Sequence, residues 1–149
     1  MRVYADTSFF VSWLYVKDVH HGKARHWFST RAKEEWIVSP WSEFETINSV
    51  RSLCVRSPGP TREYAEGLRR FFKRLFAEGP LERQEVDWDI VLRDAAQISA
   101  GYAATLKARA ADILHVAILE QLNPDIFVSG DGDQVSLAIA RGFRSVDFH

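Results

Sequence analysis

Short apolar runs alternate along the chain with longer segments in which apolar residues recur at helical spacing. Runs such as residues 126–129 (IFVS) have the length and composition of buried strands, and segments such as residues 61–76 carry one apolar face. Turn signals, including Gly79-Pro80 and the stretch 57–60 (SPGP), separate these elements. The predicted strands cover residues 2–5, 36–39, 81–86, 126–129 and 144–148, and the predicted helices begin near residues 7, 18, 41, 61, 88, 110 and 134.

Strands separated by helical segments predict parallel pairing through helical crossovers, and therefore an α/β sandwich with a central, mostly parallel sheet of four to five short strands. With 149 residues and no repeat or linker, residues 1–149 are expected to form a single domain. In open sheets of this kind, ligands bind at the carboxyl ends of the strands. Asp6 and Asp131 follow two of the predicted strands, and Glu43 follows a third.

Composition narrows the class of protein. Apolar residues make up 46% of the chain and charged residues 26%, which is typical of a folded globular protein. The formal net charge of −1 gives no overall cationic field, so any nucleic-acid contact depends on local patches. The single cysteine excludes an internal disulfide and favours the cytoplasm. The segment MRVYADTSFF is not expected to act as a signal peptide, and no apolar run has membrane-spanning length.

Two glutamates near the start of the helix that begins at about residue 41 are predicted to face in opposite directions. Glu43 shares a helical face with Ile47 and Val50, at the top of an apolar stripe. Glu45 lies on a face of polar residues. We therefore expect Glu43 to face inward, although a glutamate in the first turn can also serve only to complement the helix dipole.

Asp112 is the most unusual carboxylate, because it lies in a helix (AADILHVAIL) that is apolar on nearly every side. Aspartate is rarely buried without a partner, so Asp112 is expected to face a base, a metal ion or a pocket, unless it only caps the helix. His115 lies one turn later and is compatible with a hydrogen-bonded core histidine. Arg109 precedes the helix and is placed to neutralise a carboxylate or a phosphate, or to face solvent.

Four acidic residues therefore fall at strand ends or helix starts: Asp6, Glu43, Asp112 and Asp131. If they converge, their mutual repulsion raises their pKa values, and a divalent cation resolves that conflict. Oxygen ligands without clustered Cys or His favour Mg²⁺ or Mn²⁺, and such an ion can activate water for phosphodiester cleavage. Asp131 can equally be a simple helix cap.

The segments VYADTSFFVSW, SPWSEFETIN, RAADILHVAIL and FVSGDGDQVSLA resemble the four acidic blocks of PIN-domain ribonucleases, and most closely those of VapC-like toxins of toxin–antitoxin pairs. The resemblance extends over essentially the whole chain. It implies a PIN-like α/β/α fold, and by position it makes Asp6, Glu43, Asp112 and Asp131 the metal-site carboxylates. Ser8 and Ser129 match supporting hydroxyl positions, and Asp133 matches a variable position that either supports the site through water or faces solvent.

The same resemblance implies a metal-dependent endoribonuclease that hydrolyses tRNA or another structured RNA. It also implies a homodimer and a VapB-like antitoxin whose C-terminal segment covers the active cleft. For the RNA, the helix containing LRRFFKR offers Arg69, Arg70, Lys73 and Arg74 on its polar face, with Arg109 as a further candidate. A basic face of this kind can also be no more than the solvated side of a core helix.

Two other functions remain open. A catalytically silent PIN-like module would bind RNA or protein, but the four intact acids disfavour it. A phosphotransfer domain with Asp6 as nucleophile lacks the second aspartate of a D-x-D pair, because the sequence reads DTS. Within the nuclease hypothesis, His115 is the natural base for a metal-independent attack by the ribose 2′-hydroxyl.

Overall fold

The computed structural model describes residues 1–149 and contains one five-stranded sheet. The strands are β1 (Arg2–Ala5), β2 (Glu35–Val38), β3 (Leu81–Arg83), β4 (Ile126–Ser129) and β5 (Ser145–Asp147). Their order is β3-β2-β1-β4-β5, and every neighbouring pair is parallel. The predicted α/β/α architecture with a short-stranded, parallel sheet is therefore confirmed.

Helices cover both faces of the sheet. They are α1 (Thr7–Leu14), α2 (His21–Ser29), α3 (Pro40–Ser52), α4 (Arg62–Ala77), α5 (Trp88–Tyr102), α6 (Ala110–Leu122) and α7 (Gly132–Ala140). Because side chains alternate along a strand, Val3 and Trp36 meet α1 to α4 on one face, while Tyr4 and Phe127 meet α5 to α7 on the other. The three central strands β1, β2 and β4 are buried on both faces over most of their length, as expected for a parallel sheet.

Some element boundaries differ from the predictions. The helix α2 begins at His21, and Asp18 accepts a hydrogen bond from the His20 N–H in the preceding turn instead of capping the helix. The helix α5 ends at Tyr102, four residues earlier than expected. The strand β3 ends at Arg83, so the segment that follows it leaves the sheet earlier than its alternating pattern indicated. None of the helices combines the length and apolar character that a membrane crossing requires.

The sheet topology determines where a site can form. From β1 the chain proceeds to β2 and β3 on one side, and it later returns to place β4 and β5 on the other side. A crevice forms at such a change of direction, beyond the carboxyl ends of the strands. Three helices start directly after strands at this edge, with Asp6, Ser39 and Asp131 as their N-caps.

Candidate active site

Five carboxylates line one cleft at this edge of the sheet. Four of them are considered together as the four acids, namely Asp6, Glu45, Asp112 and Asp131, and the fifth is Asp18 in the turn before α2. We call it the acidic cleft. Its walls come from the starts of α1, α6 and α7 and from one side of α3. Only two of its lining residues are hydrophobic, so the acidic cleft is suited to a polar or charged ligand. Other polar residues of the walls include Ser8, Ser49, Arg56, Arg109, His115 and His149.

Asp6 is the most deeply placed of the four acids, with 3% of its surface exposed. Its Oδ1 accepts hydrogen bonds from the Phe9 N–H (3.0 Å) and from the Ser8 hydroxyl (2.7 Å), and the first of these caps α1. Burial raises the pKa of Asp6 above its ordinary value, although His115 and these hydrogen bonds act in the opposite direction. Asp6 is thus a buried acid whose charged form gains from a nearby cation.

Two serine hydroxyls connect Asp6 to the turn after β4. Ser129 donates to Asp6 Oδ2 (2.8 Å) and accepts from the Asp131 N–H (2.9 Å). Ser8 donates to Asp6 Oδ1 and accepts from the Gly130 N–H (2.7 Å). Each hydroxyl therefore uses its proton on the carboxylate and a lone pair on the backbone, which positions Asp6 relative to Asp131.

Glu45 enters the acidic cleft from α3 and is held by two donors. His115 Nε2 lies 2.8 Å from Glu45 Oε2, and the Thr7 hydroxyl donates to the same oxygen. Burial alone would raise the pKa of Glu45, but the hydrogen bonds from His115 and Thr7 and the charge of Arg109 hold it below its usual value. The side chain is therefore kept ionised in a half-buried position.

His115 is almost fully buried and continues this network into the core. Its Nδ1 lies 3.0 Å from the Tyr4 hydroxyl, which in turn lies 3.0 Å from Ser39 Oγ. Because an ionised carboxylate can only accept, Nε2 is assigned the proton of its hydrogen bond to Glu45, and Nδ1 is turned toward Tyr4. His115 is a hydrogen-bonded core histidine, and it also orients a carboxylate of the acidic cleft.

The placement of Glu43 differs from the prediction. Glu43 is buried, but its two oxygens pair with Lys73 of α4 and with Arg83 at the end of β3 (3.2 Å), outside the acidic cleft. The apolar stripe that it shares faces α4, whereas the polar face of α3 faces α1 and the cleft. Glu45 therefore takes the position expected for Glu43, and the prediction of an outward-facing Glu45 is corrected.

Asp112 and Asp131 share one cation. Asp112 Oδ2 accepts from the backbone N–H (2.9 Å) and from Nε (3.2 Å) of Arg109, and Arg109 Nη2 donates to Asp131 Oδ2 (2.9 Å). The hydrogen bond to Asp112 and the charges of both aspartates raise the pKa of Arg109. Asp131 Oδ1 caps α7 through the N–H groups of Asp133 and Gln134. Asp131 therefore both caps α7 and lines the acidic cleft.

The donor set suits a hard divalent cation, because carboxylate oxygens provide the first choice of ligand for Mg²⁺ and Mn²⁺. In the observed arrangement, however, no three His, Cys, Asp or Glu side chains are placed to hold one metal ion. In the same arrangement, Arg109 pairs with oxygens of Asp112 and Asp131. Asp133 is exposed and does not line the acidic cleft; only its backbone N–H contributes, as a donor to Asp131.

The predicted RNA-binding residues fall into two groups. Arg69, Arg70, Lys73 and Arg74 lie together on the surface of α4, away from the acidic cleft, and Arg69 and Lys73 are already paired with Glu66 and Glu43. Arg109 lines the cleft itself. Arg56 was missed: it follows the short helical turn after α3, is exposed, and lines the cleft beside Glu45 and Ser49 with no ion-pair partner. The helical spacing of Glu45, Ser49 and Arg56 was the available signal.

The fold and the acidic cleft together define a parallel α/β protein with a carboxylate-rich site at the point where the strand order reverses. A family model of the PIN domain matches residues 3–140. The chain belongs to the PIN domain family, as its four acidic blocks indicated.

Solved structures agree on the fold. The chain resembles Mycobacterium tuberculosis VapC20, described as a sarcin-ricin loop cleaving toxin, at a TM-score of 0.71 and 16% identity over 97% of each chain. It resembles a chain of FitAB bound to an IR36 DNA fragment at a TM-score of 0.70 and 20% identity, covering 99% of this chain and 96% of that one. For FitAcB from Neisseria gonorrhoeae the TM-score is 0.61 and the identity 15%, covering 98% and 97%. No curated protein sequence gives a significant match.

Proposed function

We propose that this chain is a metal-dependent endoribonuclease that acts as the toxin of a toxin–antitoxin pair. The observation that supports this proposal best is the convergence of Asp6, Glu45, Asp112 and Asp131 on one cleft of a PIN-domain protein. Fold similarity to VapC20 adds support at the level of architecture. The nuclease substrate is expected to be a structured RNA, such as tRNA, in the cytoplasm.

Among the carboxylates of the acidic cleft, Asp6, Glu45, Asp112 and Asp131 are the candidates to hold one or two Mg²⁺ or Mn²⁺ ions. When bound, such an ion supplies an activated water and neutralises the charge that develops on a phosphodiester. Asp6 is suited to this role because it is buried, and burial of an unpaired charge favours cation binding. Glu45 replaces Glu43 in the proposed ligand set, because both oxygens of Glu43 are paired elsewhere.

The other residues of the acidic cleft position these ligands. Ser8 and Ser129 fix both oxygens of Asp6, while His115 and Thr7 fix one oxygen of Glu45. Groups that orient a metal ligand in this way commonly affect metal affinity or activity by about 10- to 100-fold. Arg56 is proposed to contact the RNA backbone at the mouth of the cleft, because its guanidinium is exposed and has no acidic partner.

Attack by water on the phosphodiester would leave 5′-phosphate and 3′-hydroxyl ends. Attack by the ribose 2′-hydroxyl, with His115 as base, would leave a 2′,3′-cyclic phosphate and require no metal. The bonds of His115 disfavour the second route, because its Nε2 proton is donated to Glu45 and its Nδ1 is turned toward Tyr4 in the core. Neither ring nitrogen is free to take a proton from a substrate.

The decisive experiment combines end-group analysis with chelation. Purified protein is incubated with labelled RNA and Mg²⁺ or Mn²⁺, with and without EDTA, and the termini of the products are identified. Asp6→Asn should abolish cleavage and retain the fold seen by circular dichroism. The proposed mechanism is falsified if EDTA-treated protein cleaves at full rate or if the products end in cyclic phosphate.

The toxin role, the VapB-like antitoxin and the homodimer are proposed from the resemblance to VapC-like toxins. Expression of the parent chain should arrest growth, and expression of the Asp6→Asn variant should not. Size-exclusion chromatography with light scattering measures whether the purified chain is a dimer. Growth arrest by the inactive variant would separate toxicity from RNA cleavage.

A catalytically silent binding module is the second candidate, and one observation favours it. Arg109 holds oxygens of two of the four acids, so the chain can satisfy these charges internally. Absence of cleavage by the parent protein in Mg²⁺ or Mn²⁺, together with RNA binding that EDTA does not alter, would favour this module over the nuclease.

A further inference from the structure

Arg109 bonds the carboxylate oxygen of Asp131 that a cation in the acidic cleft would use. Asp131 has two carboxylate oxygens, and Oδ1 is committed to the first turn of α7 by two backbone N–H groups. Oδ2 is the oxygen not used by the helix cap, and Arg109 Nη2 bonds it at 2.9 Å. A cation that binds Asp131 without disrupting the cap of α7 therefore shares Oδ2 with the guanidinium, whose positive charge repels it.

Arg109 also bonds Asp112, but it occupies only one of the two carboxylate oxygens. Its Oδ2 accepts from both the backbone N–H and Nε of Arg109, while Oδ1 has no hydrogen-bond partner in the chain. If the guanidinium leaves, the backbone N–H remains, and it closes the first turn of α6. Asp112 therefore loses only one contact when the Arg109 side chain moves away.

The Arg109 side chain is free to make this move. About three quarters of it is exposed (74%), whereas the side chain of Asp112 is only 5% exposed. Burial contributes little to holding the guanidinium in place, so its position depends mainly on the two aspartates. Such a guanidinium can move to solvent without disturbing the hydrophobic core.

We propose that Arg109 is an internal counter-cation that competes with the divalent ion for Asp131 and Asp112, and so sets the affinity of the metal site. The inference rests on the metal site of the proposed function. In the absence of the ion, the guanidinium neutralises the pair of aspartates. Binding of the ion favours release of Asp131 Oδ2 by the guanidinium.

Arg56 provides a matched control for this competition. It carries the same charge and lines the same cleft, but its side chain bonds no carboxylate. Replacing Arg56 with Gln therefore removes one positive charge from the field around the site and breaks no ion pair. Replacing Arg109 with Gln removes the same charge and also frees Asp131 Oδ2.

The test is isothermal titration calorimetry of the parent, Arg109→Gln, Arg109→Lys and Arg56→Gln proteins with Mn²⁺ alone. Arg109→Gln should bind Mn²⁺ about tenfold more tightly than the parent, a difference of about 1.4 kcal/mol. Arg56→Gln should differ from the parent by about twofold or less, because an exposed charge at a distance is screened by water and salt. Arg109→Lys keeps the charge but lacks the planar fork, so an intermediate gain is expected.

Each other outcome is informative. If Arg109→Gln and Arg56→Gln tighten binding equally, the effect is one of net charge and the competition is overturned. If Arg109→Gln binds more weakly than the parent, Arg109 supports the ligands and the inference is wrong, although the metal site stands. If no variant and no parent protein binds Mn²⁺, the metal site of the proposed function fails, and the competition fails with it. If Arg109→Gln does not fold, the Mn²⁺ affinities of Arg109→Lys and Arg56→Gln are compared instead. A larger gain for Arg109→Lys supports the competition, and an equal or smaller gain overturns it.

Discussion

Glu45 and His115 are joined by a 2.8 Å hydrogen bond from Nε2 to Oε2, across the boundary between the buried core and the acidic cleft. The histidine lies on α6 and the glutamate on α3, two helices that cover opposite faces of the sheet. The bond therefore links the two layers at the site itself. Since the ring is almost fully buried, it fixes the direction in which Glu45 presents its carboxylate.

The first prediction compares two glutamates of the same helix. Glu45→Gln should reduce RNA cleavage by more than about 100-fold, because loss of a direct ligand exceeds the effect usual for residues that only orient ligands. Glu43→Gln should leave cleavage within a few-fold of the parent and lower the stability, because it weakens the pairing with Lys73 and Arg83. Single-turnover cleavage and urea unfolding of both variants provide the comparison. If only Glu43→Gln loses activity, the original prediction that Glu43 belongs to the site would be supported.

The second prediction concerns His115. His115→Gln should lower the cleavage rate by about 10- to 100-fold and leave the product ends unchanged, because the histidine orients Glu45 and does not exchange protons with RNA. Tyr4→Phe removes the hydrogen-bond partner of Nδ1 on the core side and should have a smaller effect in the same direction. Complete loss of activity in His115→Gln, with the affinity for Mn²⁺ unchanged, would indicate a direct chemical role instead.

The third prediction compares Ser129, at the end of β4, with Ser136 of α7. Ser129→Ala should lower the free energy of unfolding by about 1–3 kcal/mol, because the buried Asp6 loses a donor and the Asp131 N–H loses its acceptor. Ser136→Ala is the control: its hydroxyl bonds only the Gly132 carbonyl on the exposed side of α7, so the change should stay within about 0.5 kcal/mol. Equal effects of the two substitutions in urea unfolding would contradict the proposed strength of the Asp6 network.

The fourth prediction separates the two groups of arginines. Arg56→Gln should weaken RNA binding and reduce its salt dependence by roughly one unit, as expected for one lost phosphate contact. The paired change of Arg70 and Arg74 to Gln tests α4, whose basic side chains lie outside the acidic cleft. We expect a smaller reduction for this double variant than for Arg56→Gln. Binding is measured by fluorescence anisotropy at several salt concentrations, with the Asp6→Asn substitution present in every variant. A larger effect of the α4 variant than of Arg56→Gln would indicate that α4 is the RNA-binding surface.

Much of the fold was predictable because local signals and tertiary structure agree. The bounds of β1 and β4 match the prediction, since both are short apolar runs followed within two residues by an aspartate that caps the next helix. Asp6, Asp112 and Asp131 stand at element boundaries in apolar surroundings, as the sequence indicated, and all three line the acidic cleft.

Glu43 and Glu45 show where prediction from the sequence ends. A helical wheel gives the faces of α3, but it does not say which neighbour each face will meet. The helix packs on both α1 and α4, so its apolar stripe meets α4 and its polar face lines the acidic cleft. The ion pair of Arg109 with Asp131 was equally inaccessible, because it joins the start of α6 to the turn after β4. The pair with Asp112 lies within one helical turn and agrees with the expectation that Arg109 neutralises a carboxylate.

The hydrogen bond from Ser129 to Asp6 spans 123 positions of the sequence, and the backbone N–H of Asp6 bonds Val128 of the same strand. Contacts between such distant segments form late and slow the folding of a chain, since a long loop must close before they add any stability. In a nascent chain, Ser129 and Asp131 are not yet available before β4 has left the ribosome. The side of β1 opposite β2 then has no pairing strand. The acidic cleft is thus assembled only after β4 has left the ribosome, and a nascent chain that lacks β4 has no such cleft.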